Sequence, residues 1–218
     1  MSKRLAIFDL DGTLLNTIAD LATSTNQALE ACGFPTHPVE EYPMYVGNGI
    51  NKLFERALPT EARTEENILR IRAHFLPYYD EHNADLSSPY PGIPQLLEQL
   101  QAAGIQIAVA SNKYQRATEK LIHHYFPIIR FAAIFGQREG IPVKPDPQIV
   151  EDILAIVPVK KEEVIYIGDS GVDMQTALNA HVESIGVTWG FRPREELMQY
   201  SPTHIVSSAE EIEIITLQ

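Results

Sequence analysis

Two aspartates two positions apart, Asp9 and Asp11, stand directly after the apolar run Leu5-Ala6-Ile7-Phe8. In an extended chain, residues i and i+2 face the same way, so both carboxylates can reach one point. Carboxylates that close repel, and either one is protonated or a cation sits between them. Mg²⁺ suits that place, since it takes one or two carboxylates together with waters and a substrate phosphate. The pair can then divide the labour, one Asp attacking and the other moving a proton. Gly12 lets the chain turn so that backbone N–H groups face an anion, which makes Gly12 and Thr13 the expected phosphate contacts of this loop. A solvated strand-end turn uses the same residue types. The unbroken run Phe8-Asp9-Leu10-Asp11-Gly12-Thr13-Leu14 is what favours chemistry.

Three further polar clusters follow in chain order. Ser111-Asn112 comes after the apolar run ending at Ala110 and offers a hydroxyl and a backbone N–H to a phosphoryl oxygen; Ser111 could equally cap a helix starting near Tyr114. Lys144 sits between Pro142 and Pro145. It is suited to neutralising charge on a nucleophile and a transferring group, or is simply a surface lysine in a proline loop. Gly168-Asp169-Ser170-Gly171-Val172-Asp173 follows Val164-Ile165-Tyr166-Ile167. Its acids can complete a metal site or cap a helix. In an open parallel sheet the carboxyl ends of the strands share one edge, where ligands bind. The joint occurrence of all four clusters is hard to obtain from caps alone.

The elements that would position them alternate between strand and helix. Short apolar runs at 5–8, 105–110, 131–135, 164–167 and 184–187 read as buried parallel strands, with 204–206 as a short edge strand. Helices between them start at Pro94 and Pro147, with Leu96, Leu97, Leu100 and Ala103 on one inward face, Val150, Ile153, Leu154 and Val157 on another, and Met174, Ala177 and Leu178 on a third. This predicts an α/β fold with a parallel-sheet core. From about Thr17 to Ser88 the alternation stops and only helical spacing appears, including a helix capped by Thr64 that carries Ile68, Leu69, Phe75, Leu76 and Tyr79. A crossover needs one helix rather than three, so residues 17–86 are expected to form an inserted α-helical cap domain on a core of residues 1–16 and 87–218.

Composition narrows the function. The chain has 218 residues, 44% hydrophobic, with Lys plus Arg 17 against Asp plus Glu 29 for a net charge of −12. Such an acidic chain is a poor binder of nucleic acid or of an anionic membrane. No stretch approaches the roughly 18 apolar residues of a membrane span. Cys32 is the only cysteine, which excludes an intrachain disulfide and favours a cytoplasmic setting.

With these motifs the sequence resembles the haloacid dehalogenase superfamily, and within it the phosphoglycolate phosphatase-like hydrolases with a small helical cap. The resemblance implies a Rossmann-like parallel-sheet core interrupted by the cap, and a Mg²⁺-dependent phosphatase working through an aspartyl-phosphate. It implies Asp9 as nucleophile, Asp11 as acid and base, and Lys144 as the neutralising cation. Ser111 and Asn112 would bind the phosphoryl group. Mg²⁺ would be held by Asp9, the Asp11 main-chain carbonyl and Asp169, with Asp173 supporting the metal site or Lys144. Family dehalogenases put a non-acidic residue where Asp11 stands, so a phosphatase is expected. Val46-Gly47-Asn48-Gly49 resembles a cap loop of these phosphatases, with Gly47 and Asn48 as substrate contacts, or it only turns the chain into a helix at Ile50. Gly186-Val187-Thr188-Trp189-Gly190-Phe191 resembles a segment of their core. Asn16 stands where many relatives have an acid, and His181 where many have glycine.

The expected partner is a small phosphorylated metabolite, 2-phosphoglycolate first, bound by a monomer or homodimer. Relatives with the same motifs hydrolyse pyrophosphate or sugar phosphates, or act as phosphomutases. A non-enzymatic alternative is a phosphorylatable signalling domain, which also places acids, a hydroxyl and a lysine at strand ends. It lacks both the insertion and the paired acid.

Overall fold

The computed structural model describes residues 2–218. Its main sheet has six parallel strands in the order β5-β4-β1-β6-β7-β8. They are β1 (Leu5–Phe8), β4 (Gln106–Tyr114), β5 (Phe131–Gln137), β6 (Val164–Gly168), β7 (Glu183–Val187) and β8 (His204–Val206). A two-stranded ladder pairs β2 (Leu15–Asn16) with β3 (Ser88–Pro89).

Why these runs make a central sheet is visible in their alternation. Ala6, Phe8, Ile107, Val109, Ile165 and Ile167 point to one face. There they meet α4 (Ile93–Ala102), α5 (Gln115–Tyr125) and α9 (Ala209–Leu217). Leu5, Ile7, Ala108, Ala110, Val164 and Tyr166 point to the other, against α6 (Gln148–Ile156) and α7 (Gly171–Ala180). Both faces are covered, so every position in β1 is apolar and buried. A last short helix, α8 (Arg194–Met198), sits between β7 and β8. The register pairs Phe8 with Val109 and with Ile167. The residues that follow these three strands therefore emerge side by side at mid-sheet.

The insertion between β2 and β3 holds α1 (Ile18–Ala31), α2 (Ile50–Ala57) and α3 (Glu65–His82). These helices bury their own apolar residues, among them Leu21, Leu53, Phe54, Ile71 and Phe75, together with Tyr42 from the turn between α1 and α2. Phe75 stacks on Tyr79 at 4.9 Å and meets the edge of Phe54 at 5.0 Å. Thr64 caps α3 through its hydroxyl, as expected. At the return crossing, Asp20 accepts hydrogen bonds from Leu86 N, Ser87 N and the Ser87 hydroxyl, which ties α1 to the exit of the insertion. Among the described residues no helix is long and apolar enough to cross a membrane.

Several expectations are corrected. The segment 17–88 contains strand after all, since Ser88 pairs with Asn16; two residues are too few to show a period. β4 runs to Tyr114 rather than ending at Ala110, with a register shift in between. Ser111 therefore lies in an irregular strand end, and α5 begins at Gln115 with no side-chain cap. Leu69, Leu178 and Ala103 face solvent, because each lies just round the helix from the stripe that packs.

His181 ends α7 in the left-handed region, at φ 58°. A Cβ is strained there by about 1–2 kcal/mol, which is why glycine is favoured at such C-caps. His181→Gly should raise the unfolding free energy by up to about 1 kcal/mol once glycine's extra unfolded-state entropy is offset. A chemical-denaturation midpoint that falls would contradict this reading of the cap.

Candidate active site

Lys144 is the centre of the arrangement. Its side chain is almost fully buried, and Nζ lies 2.7 Å from Asp173 Oδ1 and 3.0 Å from Asp9 Oδ1. It also donates to the Ala110 carbonyl at 2.8 Å and the Tyr166 hydroxyl at 3.1 Å. Burial works against the ammonium charge, but the Asp173 and Asp9 carboxylates outweigh it and hold Lys144 well above its ordinary pKa.

Asp9 follows β1 directly. Its Oδ1 accepts from Leu10 N at 2.7 Å and faces Lys144, while among the described residues no hydrogen-bond partner falls on Oδ2. Burial first, and then the Asp173 charge, push its pKa up to about 7 against the pull of Lys144. Asp169, after β6, is also raised well above the carboxylate range by burial and by Asp173 and Asp9. Asp169 receives the Thr13 hydroxyl at 3.2 Å and the Phe191 N–H at 2.7 Å. Two glycines make room for it: a Cβ on Gly12, at φ 85°, or on Gly190 would overlap the Asp169 side chain. Asp173 is spent on Lys144 through Oδ1 and on Ser170 N and Oγ through Oδ2.

Ligand oxygens of Asp9, Asp169 and Asp173 lie within 4.8 Å of one another. With all three carboxyls ionised, one ammonium would leave two negative charges uncompensated. That balance, with all-oxygen donors, fits a hard divalent cation. Asp9 and Asp169 line the adjoining cavity, while Asp173 lies behind Lys144 and does not.

Asp11 faces the same cavity. Its Oδ1 accepts from the Thr17 hydroxyl at 2.6 Å, and Lys113 Nζ reaches its two oxygens at 3.0 and 3.1 Å. Ser111 lines the cavity as well and accepts from Lys113 N at 3.2 Å. Asn112 binds three ways. Its Oδ1 accepts from Lys144 N at 2.9 Å, and its Nδ2 donates to the Lys144 and Gly47 carbonyls at 3.1 Å each. The insertion supplies the opposite wall with Leu21, Val46, Gly47, Ile50 and Leu53.

The structure thus brings Asp9, Asp11, Ser111, Asn112, Gly47 and Asp169 around one cavity of about 40 Å³, with Lys144 and Asp173 just behind. Gly12 and Thr13 contact Asp169 instead of lining it. Asn48 turns away to Arg56 Nη2, at 2.7 Å. The departure at Asn16 has a local use, since its side chain accepts from Ile18 N at the start of α1. Sequence reading missed Lys113, Tyr166 and Arg192. Lys113 carried a signal, two positions beyond Ser111 on an extended segment; Tyr166 looked like any strand residue.

A parallel α/β core with an acidic, lysine-anchored site at the carboxyl ends of its middle strands defines a hydrolase-like catalytic domain. The chain belongs to the haloacid dehalogenase-like hydrolases, whose family profile matches residues 6–187. It is an enzyme of that hydrolase class. It is 31% identical to a phosphoglycolate phosphatase of Vibrio parahaemolyticus over 96% of this chain and 94% of that protein. A solved structure from Lactobacillus delbrueckii, carrying the provisional name phosphoglycolate phosphatase, superposes with a TM-score of 0.93 at 34% identity, covering 100% of this chain and 99% of the other. Another of that provisional name, from Haemophilus somnus, gives 0.91 at 28% identity, covering 99% of each.

The raised Asp9 carboxyl has a measurable consequence without metal. Folded Asp9 holds its proton to about pH 7, against 3.8 for the free group. Between those values the folded state binds more protons than the unfolded one, so this contribution to stability is present at low pH and lost as pH rises through about 7. In chelator, melting temperature should fall from about pH 5 to pH 8 more steeply for the wild type than for Asp9→Asn. Parallel slopes would remove the argument for a proton on Asp9.

Proposed function

We propose that the protein is a Mg²⁺-dependent phosphatase that hydrolyses a small phosphorylated metabolite, 2-phosphoglycolate first among candidates, through an aspartyl-phosphate on Asp9. The observation that carries this is the asymmetry of Asp9. One oxygen is fully engaged by Leu10 N and Lys144, and the other is free beside a cavity that Asp11 and Ser111 share.

In this reading Oδ2 of Asp9 attacks phosphorus, and the ester P–O bond breaks as Asp11 gives its proton to the leaving oxygen. Asp11 then takes a proton from water, whose oxygen attacks the acyl-phosphate phosphorus and frees the Asp9 carboxylate with inorganic phosphate. Ser111 Oγ and the Asn112 N–H hold phosphoryl oxygens, and Lys144 keeps Asp9 oriented and offsets its charge. The Asp9 and Asp169 carboxylates and the Asp11 carbonyl would hold Mg²⁺, which would supply positive charge to the transferring group. The Thr17 hydroxyl and Lys113 fix the orientation of Asp11. The insertion acts as a cap that excludes bulk water during transfer. The names of relatives at about 30% identity support a compact leaving group such as glycolate.

Phosphate release from 2-phosphoglycolate in Mg²⁺ tests this. Chelation should abolish it, and Asp9→Asn should lower kcat by about 10³-fold or more. Near-wild-type turnover by Asp9→Asn would refute the nucleophile. Turnover of every other small phosphoester but not 2-phosphoglycolate would refute the substrate.

A further inference from the structure

Arg192 stands outside the four sequence clusters, in the loop after β7, and lines the same cavity as Asp9. Its guanidinium spans the seam between the sheet and the insertion. Nη2 donates to the Val46 carbonyl at 2.8 Å, Nη1 donates to the Pro43 carbonyl, and Nε faces Glu196 at 3.4 Å. A guanidinium has five N–H donors, so two remain for a ligand.

The other cations of the site are committed. Lys113 is bound to Asp11, and Lys144 to Asp9 and Asp173. The insertion's side of the cavity is otherwise apolar, from Leu21, Val46, Ile50 and Leu53. Among the described residues, Arg192 is therefore the one side-chain cation lining the cavity that is not paired with a carboxylate of the reaction centre. It is also indexed to that centre, because Phe191 N is bonded to Asp169 and Gly190 packs against the same side chain. A second guanidinium lies close by. Arg56 donates to the Tyr45 carbonyl at 2.9 Å and reaches the Val46 carbonyl at 3.5 Å. Burial, and then the charge of Arg192, lower its pKa. Glu196 offsets Arg192, while among the described residues no carboxylate lies within salt-bridge distance of Arg56; the pair of guanidiniums thus keeps one positive charge that an anion would relieve.

We propose that Arg192 is a specificity-determining residue that reads a negative group on the leaving-group side of the scissile phosphoester, a carboxylate or a second phosphate. The remaining N–H donors of the fork match either group. This rests on the phosphatase reading above and extends it from the phosphoryl end of the substrate to the other end.

The experiment compares kcat and KM for three substrates with Mg²⁺ present: 2-phosphoglycolate, inorganic pyrophosphate and ethyl phosphate. Ethyl phosphate matches phosphoglycolate closely but carries no charge on its leaving group. Wild type should favour at least one of the two anionic-leaving-group substrates over ethyl phosphate in kcat/KM. Arg192→Met should cut that preference by about 10- to 100-fold, the span of a charged hydrogen bond, mainly through KM. Arg192→Lys should retain part of it, and its turnover of ethyl phosphate reports a folded enzyme should the methionine variant not fold. An equal fall on all three substrates would make Arg192 a strap between sheet and insertion and overturn the proposal, as would a wild type with no anionic preference. A preference for pyrophosphate that depends on Arg192 would sustain the proposal and overturn the choice of 2-phosphoglycolate.

Discussion

Three carboxylates and one ammonium packed out of water at the middle of a sheet set the terms for this molecule. Two like charges about 4 Å apart interact unfavourably by about 4 kcal/mol at an effective dielectric near 20, far more than a typical hydrogen bond returns. Lys144 offsets one of the three charges of Asp9, Asp169 and Asp173. The upward shifts of Asp9 and Asp169 are the sign that the rest is unbalanced. A protein that kept such a cluster only for stability would do better with apolar residues. On the proposed phosphatase reading, the strain would serve to draw in a divalent cation and a phosphoryl group.

The fold meets that constraint with rigid parts. β1 lies between β4 and β6, so Asp9, Ser111 and Asp169 issue from three adjacent strand ends. Lys144 arrives from a separate loop and is pinned by Asn112, Ala110 and Tyr166 before it meets a carboxylate. Asn112 links that lysine to the insertion through Gly47, and Arg192 links the Asp169 side of the site to the insertion through Val46. The candidate site is thus clamped from both flanks to the helices that cover it.

Much of this was legible in the chain because the informative residues sit in short, contiguous runs. Asp9 and Asp11 follow a four-residue apolar strand, and Asp169 and Asp173 straddle a helix start, so local rules sufficed to place them on one edge. The family resemblance then suggested their roles. The residues that escaped are those whose meaning is tertiary. Lys113 pairs with an acid 102 positions away, and Arg192 reaches carbonyls 146 and 149 positions earlier; no window of sequence contains both partners. Tyr166 alternates correctly as a strand residue while its hydroxyl serves Lys144. The β2–β3 ladder and the bulge at the end of β4 escaped because each involves too few residues to carry a period. Leu69 and Leu178 show the converse, since apolar residues beside a helical stripe are read as core until the packing face is known.

The balance of charge at Lys144 is tested most directly by counting bound cations. Calorimetric titration of the folded protein with Mg²⁺ should find one ion per chain, lost when Asp169→Asn removes a ligand charge without changing its shape. An apoprotein that takes up no divalent ion, or an Asp169→Asn variant that binds Mg²⁺ as tightly as wild type, would contradict the account.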